Sequence, residues 1–291
     1  MKLPRSFGTH SGTFHADEVT ACALLLLLDC IDEDKIVRSR DMVILSTCEY
    51  ICDVGGEYSP DEKKFDHHQS SYKGDLSSAG MILKYFKDTA VISQEEYNCM
   101  NRSLIMGVDS HDNGKGEGEI GVCTFSNVIS NFVPVHYDAP AELQDAQFKQ
   151  AVQFARGHLS RLLARLHYIQ DCKVIVQQAM EGKKKYLYFD QPLPWIDAFF
   201  EFGGETHPAL FVLMPSSGCW KLRGIPPNNY DRMKVRQPLP LAWAGLLDEQ
   251  LQSVTGLPGA VFCHKGRFIS VWKTKEDAIA ALKKLIGEVD L

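Results

Sequence analysis

"EYICDVGGEY", residues 49 to 58, runs through Ile51 and Cys52, then breaks at Asp53 and a Gly55–Gly56 turn. Such a run reads as a short strand over 49–54, which places Asp53 at the carboxyl end of a β-strand. In an open α/β sheet that edge is where ligands bind. Upstream, residues 6–10 end a first strand, 18–30 form a buried helix and 36–39 a second strand. The alternation marks an α/β chain, with a mainly parallel sheet expected in its first half.

Downstream, Ser77 and Ser78 are placed as N-caps for a helix to about Phe86, and residues 94–106 form another. "GVDSHDNG", 107–114, then follows that helix and closes in a turn over Asp112, Asn113 and Gly114. The glycines from 113 to 121 fit neither a dinucleotide fingerprint nor a P-loop, and a mobile loop is expected there. Phe148, Val152, Ala155, Leu159, Leu162, Leu166 and Ile169 repeat at three and four, predicting a long amphipathic helix over 147–170 as an arm between two domains. Beyond it, strands are expected at 173–177, 185–189, 209–214, 219–224, 259–263 and 267–272, with helices at 241–253 and 275–285. The predicted domains are 1–172 and a smaller α/β domain, 173–291.

Composition narrows the function. The 291 residues are 45% hydrophobic and 23% charged, as in a soluble globular chain with a real core. The apolar run from Ala21 to Leu28 is far shorter than the roughly 20 residues a bilayer crossing requires, so no membrane partner is expected. The opening MKLPRSFGTHSG resembles neither a secretory signal nor a transit peptide. That predicts an intracellular protein, cytoplasmic or nuclear, or mitochondrial should the start be trimmed; a homo-oligomer is compatible with the sequence. Nine scattered cysteines without CxxC spacing predict reduced thiols, and Cys48 with Cys52 lacks the second pair that a zinc finger needs. Residues 1–172 carry sixteen Lys and Arg against twenty-five Asp and Glu, and residues 173–291 carry fifteen against twelve. A net charge of −6 disfavours wrapping long duplex DNA, but allows an acidic half that binds cations and a mildly basic half that holds phosphates.

The chemistry gathers in "THSGTFHADE", residues 9–18, in Asp53, in "FDHHQ", residues 65–69, and in Asp109. His10, His15 and Asp17 fall within eight residues, with His15 and Asp17 on one side if that segment is extended. Any one of these residues alone would be unremarked; the order H-x4-H-x-D, D, DHH, D is what points to a metal site. His111 reads as decoration of its turn, and His136, His158, His167 and His207 as structural. Imidazoles with aspartates and no cysteine suit Mn²⁺, with Mg²⁺ or Co²⁺ as alternatives, more than a closed structural zinc. Six ligands exceed what one ion with open positions needs, so two ions bridged by Asp53 are expected, in the manner of phosphatases and nucleases.

These residues in this order resemble the DHH phosphoesterase superfamily. "GTHSGTFHADE", "DVGGEY", "DHHQ", "LSSAG", "VDSHDNG", "PLPLAWAGL" and "TGLPGAVFCHKGRF" are similar to the melanocyte proliferating gene (Myg) family, to which 3'-5' exonuclease activity is assigned. The resemblance covers nearly the whole chain. It implies a DHH-like catalytic domain, with one ion on His10, His15 and Asp53 and the other on Asp17, Asp53, His67 and Asp109. It further implies that His68 faces the substrate phosphate, that Asp66 orients the pair, and that the helix start at Ser78 adds backbone N–H groups for a phosphate. The second domain is expected to hold the remaining substrate, with Lys221, Arg223, Arg232, Arg236, His264, Lys265 and Arg267 as candidate contacts and the site in the cleft between domains. Where the family tends to carry a glycine pair, this chain has Ser270, Val271 and Trp272, so Trp272 becomes a candidate for stacking on a base.

The sequence therefore predicts a two-domain, Mn²⁺-dependent phosphodiesterase that trims single-stranded RNA or short oligonucleotides from the 3' end, a role in RNA processing. A small-molecule phosphohydrolase, acting on pyrophosphate or a bisphosphonucleotide, is the second reading. A non-catalytic, metal-stabilised binding protein is the third.

Overall fold

The computed structural model describes residues 2–115, 120–136 and 138–290, so the centre of the glycine-rich loop lies outside the described residues. The chain divides into two compact units, Met1–Leu166 and His167–Leu291.

The first unit is built on a five-stranded sheet. Its strands are β1 (Leu3–Thr9), β2 (Ile36–Arg38), β3 (Cys48–Cys52), β4 (Tyr58–Ser59) and β5 (Lys64–Phe65), in spatial order β2-β1-β3-β5-β4. All neighbours are parallel except β4, which runs antiparallel on β5 at the edge. Helix α1 (Ala16–Leu27) carries the chain from β1 to β2, and α2 (Met42–Leu45) lies between β2 and β3. Since β2 and β3 flank β1 on opposite sides, the strand order reverses at β1/β3, which opens a crevice at their carboxyl ends. α1 is buried from Ala16 through Leu26, as a helix that is apolar nearly all round must be. It packs on α3 (Ser78–Asp88), whose Met81, Ile82, Leu83 and Phe86 join the same core.

The helix predicted over 94–106 is interrupted. α4 (Gln94–Met100) passes into a π turn, Asn101–Ile105, and then into α5 (Met106–Asp112). "GVDSHD" is therefore helix rather than loop. One extra residue per turn rotates everything beyond it by about 100° about the helix axis, and such π turns are frequent at functional sites. α6 (Phe125–Ser130) completes the unit before α7 (Ala141–Glu181), a 41-residue helix. The predicted strand at 173–177 is thus corrected to helix. Cys172, Val176 and Met180, four apart, are buried while Val174 is exposed, and burial on that spacing overrides the β-preference of the Val-Ile-Val run.

The second unit has its own sheet: β6 (Tyr186–Tyr188), β7 (Phe211–Ser216), β8 (Cys219–Gly224), β9 (Ala260–Cys263) and β10 (Ile269–Trp272), in order β6-β7-β8-β10-β9. Only β6 and β7 are parallel. α8 (Ile196–Glu201) and the end of α7 share one core with Val212, while α9 (Asp248–Thr255) and α10 (Lys275–Ile286) share another with Leu213 and Trp272. Trp272 is fully buried, edge-on to Trp243, with its indole N–H on Ser270 Oγ at 2.9 Å. It packs the core and offers no face for a base to stack on. All nine cysteines are free, and no described helix is long and apolar enough to cross a membrane.

Candidate metal centre

Parallel strands bring their carboxyl ends to one edge, and that geometry assembles the site. His10 follows β1, Asp53 follows β3, and Asp66, His67 and His68 follow β5. His15 and Asp17 arrive by a different local structure from the expected extended one: His15 is the N-cap of α1 and Asp17 lies in its first turn. The His15 amide donates to Glu18 Oε1 at 2.9 Å, closing the helix start and bringing the fully buried Glu18 to the site. Asp53 has φ +57, a left-handed conformation costing a non-glycine residue about 1–2 kcal/mol, which points to a local requirement for its orientation.

Three overlapping groups of donor atoms, each within 4.8 Å, result: His10, His15, Glu18 and Asp53; Asp53, His67 and His68; Asp17, His67 and Asp112. Asp53 belongs to the first two, and His67 links the second to the third. His10 Nε2 lies 3.2 Å from both Asp53 Oδ2 and Glu18 Oε1. His67 Nε2 lies 3.5 Å from Asp53 Oδ1 and 2.9 Å from Asp112 Oδ2. His68 is held differently: its Nδ1 is 2.8 Å from Asp66 Oδ1, the same oxygen accepts its amide, and its side chain is 64% exposed against 8% for His67. Asp66 Oδ2 accepts the Gly56 amide, which ties the β5 end to the turn after Asp53.

The buried donors are not satisfied by one another. Asp17 Oδ1, Glu18 Oε2, Asp53 Oδ1 and His67 Nε2 are all inaccessible to solvent and make no aligned hydrogen bond. Orphaned buried polar atoms cost about 1–3 kcal/mol each and are rare, so four on residues of these overlapping groups point to ligands that the groups would hold. Electrostatics agree. Burial, then Asp53 and Glu18 nearby, pushes the Asp17 carboxyl well above its usual range. Burial also opposes ionisation of Asp53, but His10 and His67 outweigh it and bring that carboxyl down to about 2. Burial resists a charge on His10, yet Asp53 and Glu18 raise it to about 10. Asp112 and Asp53 raise His67 to about 10 as well. Protons on the two imidazoles thus offset crowded carboxylates where a divalent cation would do so more fully. The mixed nitrogen and oxygen set fits Mn²⁺ or Mg²⁺.

Two sequence-predicted residues stand elsewhere. Asp109 is not among the donors: its Oδ1 accepts from the Ser77 amide at 3.0 Å, the Ser77 hydroxyl at 2.8 Å and the Gly80 amide at 3.1 Å. Burial outweighs those bonds and lifts its carboxyl to about 6. Asp112, one helical turn on, is the residue of that helix grouped with Asp17 and His67. Ser78 is fully buried, with its amide on Asp17 Oδ2 at 3.3 Å and its hydroxyl on the Phe65 carbonyl. The start of α3 is therefore occupied by acidic side chains where a substrate phosphate was expected.

Glu18, Asp112, His111 and Arg40 join the site without a signal strong enough to single them out in the sequence. Glu18 adjoins Asp17 in "HADE", and Asp112 reads there only as a turn former. His111 lines a cavity of about 290 Å³ with His15, Asp53, His68 and Asp112, so it stands at the site. Arg40 faces an adjoining cavity of about 500 Å³ beside His10, His15, Asp53, Gly55 and His68.

In the second unit, Lys221 and Arg223 alternate with the buried Leu222 on β8, so both lie on one face of the strand. Burial, and then Arg232 nearby, lowers the Arg223 pKa. Arg232 pairs with Asp197. The Arg236 guanidinium donates to the carbonyls of Pro226, His207, Ala209 and Gly204, a set that makes it a clamp for loops. His264 Nδ1 accepts the Gly266 amide, Arg267 reaches the Leu239 carbonyl at 3.4 Å, and Lys265 is exposed.

Fold and site together define an α/β protein whose parallel sheet presents a buried carboxylate and imidazole cluster, of the kind that holds divalent cations, at its carboxyl edge. The chain belongs to the MYG1_exonuc family, described as an uncharacterised protein family (UPF0160), which matches residues 6–286. The MYG1 protein of Chlamydia pneumoniae is 53% identical over 283 residues, covering 97% of both chains. The MYG1 exonuclease of Homo sapiens is 30% identical over 330 residues, covering 99% of this chain and 87% of that one. Among solved structures, RecJ in complex with Mn²⁺ from Thermus thermophilus aligns with 98% of this chain at 11% identity and a TM-score of 0.29; this chain spans 52% of that one. A likeness at that TM-score carries nothing about the site.

Proposed function

We propose that this chain is a divalent-metal-dependent phosphodiesterase, a 3'-5' exonuclease acting on single-stranded RNA or short oligonucleotides. One observation carries the reading: buried, unsatisfied donors of Asp17, Glu18, Asp53 and His67 converge at the carboxyl edge of a parallel sheet. The family's curated members named exonucleases supply the direction of the chemistry. His10, His15, Glu18 and Asp53 would hold one Mn²⁺, and Asp17, Asp53, His67 and Asp112 a second. Bound there, the ions supply an activated water and neutralise charge on phosphate oxygens.

The chain's own residues do the rest. Asp66 fixes the His68 ring by its Nδ1, leaving Nε2 to reach a phosphate oxygen. Arg40 brings positive charge to a cavity otherwise rich in carboxylates, and its planar fork suits a phosphate. Gly55 and Gly56, both at positive φ, keep that wall free of side chains.

The test is end-labelled single-stranded RNA with Mn²⁺, run beside pyrophosphate. A ladder of 3'-shortened products that disappears with EDTA is expected. Phosphate release from pyrophosphate with RNA left intact would overturn the exonuclease reading in favour of a small phosphohydrolase.

A further inference from the structure

We propose that the groove lined by Val133, Pro134, Val135, His136, Ala139 and Leu143 is a binding subsite for the nucleobase and ribose next to the phosphate held at the metal centre. The inference rests on the phosphodiesterase reading and names where the remaining substrate lies.

Continuity is the first argument. Ser130, at the end of α6, lines both the cavity containing His15, Asp53 and His68 and a second cavity of about 310 Å³. Thr13, in the loop between His10 and His15, lines that second cavity and also the one that Arg40 faces. Val133, Pro134, Val135, His136 and Ala139 then line both the second cavity and a third of about 770 Å³. Shared lining residues therefore place these cavities side by side from the candidate metal ligands to the largest of the four, all lined by residues of the first unit. Its size falls in the range of roughly 300–1,000 Å³ seen for small-ligand sites.

Chemistry selects the occupant. Val133, Pro134, Val135 and Leu143 give the groove an apolar wall, and Val135 and Leu143 are 90% and 43% exposed. Asn131, His136, Gln144 and Gln147 place amides and an imidazole around it. No Lys or Arg is among the described lining residues, and Asp138 stands among them, so a phosphate is disfavoured there. A flat group with apolar faces and a hydrogen-bonding edge fits, which describes a base. Phosphate at the ions with Arg40 on one side, base in a cation-free groove on the other, is the division of a nucleotide. His136, read from sequence as structural, is exposed here and offers a stacking face.

The test uses the full chain and a fluorescent single-stranded oligoribonucleotide, with Ca²⁺ replacing Mn²⁺ for binding by anisotropy and Mn²⁺ for cleavage. Ala139→Trp, which fills the groove, and Val135→Asp, which charges it, are each expected to weaken oligonucleotide binding at least about tenfold, the order of one lost base contact. Mn²⁺ affinity by calorimetry should stay at the wild-type value, since neither residue is a ligand. An oligonucleotide lacking the base next to the scissile phosphate should bind wild type as weakly as the intact one binds Ala139→Trp. Wild-type binding and cleavage by both variants would overturn the groove assignment while leaving the phosphodiesterase reading intact. Wild type that neither binds nor cuts the oligonucleotide would overturn both. A dimer broken by Val135→Asp with oligonucleotide binding unchanged would assign the groove to a second copy of the chain and overturn the proposal.

Discussion

The two units treat buried charge in opposite ways. At the edge of the first sheet, Asp17, Glu18, Asp53 and His67 crowd together with donor atoms left over. In the second, Arg236 also reaches inward, yet its guanidinium is matched by the carbonyls of Pro226, His207, Ala209 and Gly204. The topologies differ correspondingly: parallel strands align their carboxyl ends, whereas the mostly antiparallel second sheet distributes strand ends over both edges. The contrast teaches that residue type and burial do not identify a site. A polar group that the fold satisfies is architecture; one that it leaves unsatisfied beside others of its kind awaits a ligand.

The largest effect expected from breaking that contrast is Asp53→Asn. The substitution removes the carboxylate shared by two donor groups, so Mn²⁺ binding by calorimetry should vanish and hydrolysis fall by roughly a thousandfold, about 4 kcal/mol of transition-state stabilisation. Retained metal affinity would show that Asp53 is not the bridge.

Asp112→Asn against Asp109→Asn tests the comparison within one helix. Asp112→Asn should weaken Mn²⁺ affinity about 10- to 100-fold with little loss of thermal stability. Asp109→Asn should leave affinity near wild type and cost about 1–2 kcal/mol in denaturant unfolding, because Ser77 and Gly80 lose a charged acceptor. The opposite pattern would return the ligand role to Asp109.

Arg236→Ala should cost about 2–3 kcal/mol of unfolding free energy by stripping several carbonyls of their donor, with Mn²⁺ affinity unchanged. A change in oligonucleotide affinity without a change in stability would show instead that Arg236 contacts substrate.

The last test is of pH. With His10 and His67 raised to about 10 in the metal-free protein, their contribution to stability is full below the unfolded value near 6.5 and is lost as pH rises through 10. Metal must displace those protons, so apparent Mn²⁺ affinity should climb between pH 6.5 and 8 by up to about tenfold per unit for each proton released. Calorimetry in buffers of different ionisation enthalpy measures that release directly. A pH-independent affinity would mean that neither imidazole is protonated before metal binds.

Much of the site was legible in the sequence. "THSGTFHADE", Asp53 and "FDHHQ" each follow or precede a recognisable element, and parallel strands carry such segments to one edge regardless of the detail between them. The strand ends and the first helix could be argued from local pattern, because strand and helix periodicity are local properties, while the different parts given to His67 and His68 came from the family resemblance. Asp112 could not. The π turn at Asn101–Ile105 rotates α5, so that Asp109 meets the start of α3 and Asp112 meets His67. Nothing short of packing reveals that extra residue. Residues 173–177 misled for the same reason: a β-branched run states a weak preference, and burial of Cys172, Val176 and Met180 along one helix face decides against it. The sequence by itself determined which donors this protein possesses and which strand ends present them. Only the tertiary structure decided which of those donors are left unsatisfied, since satisfaction depends on neighbours distant in the chain.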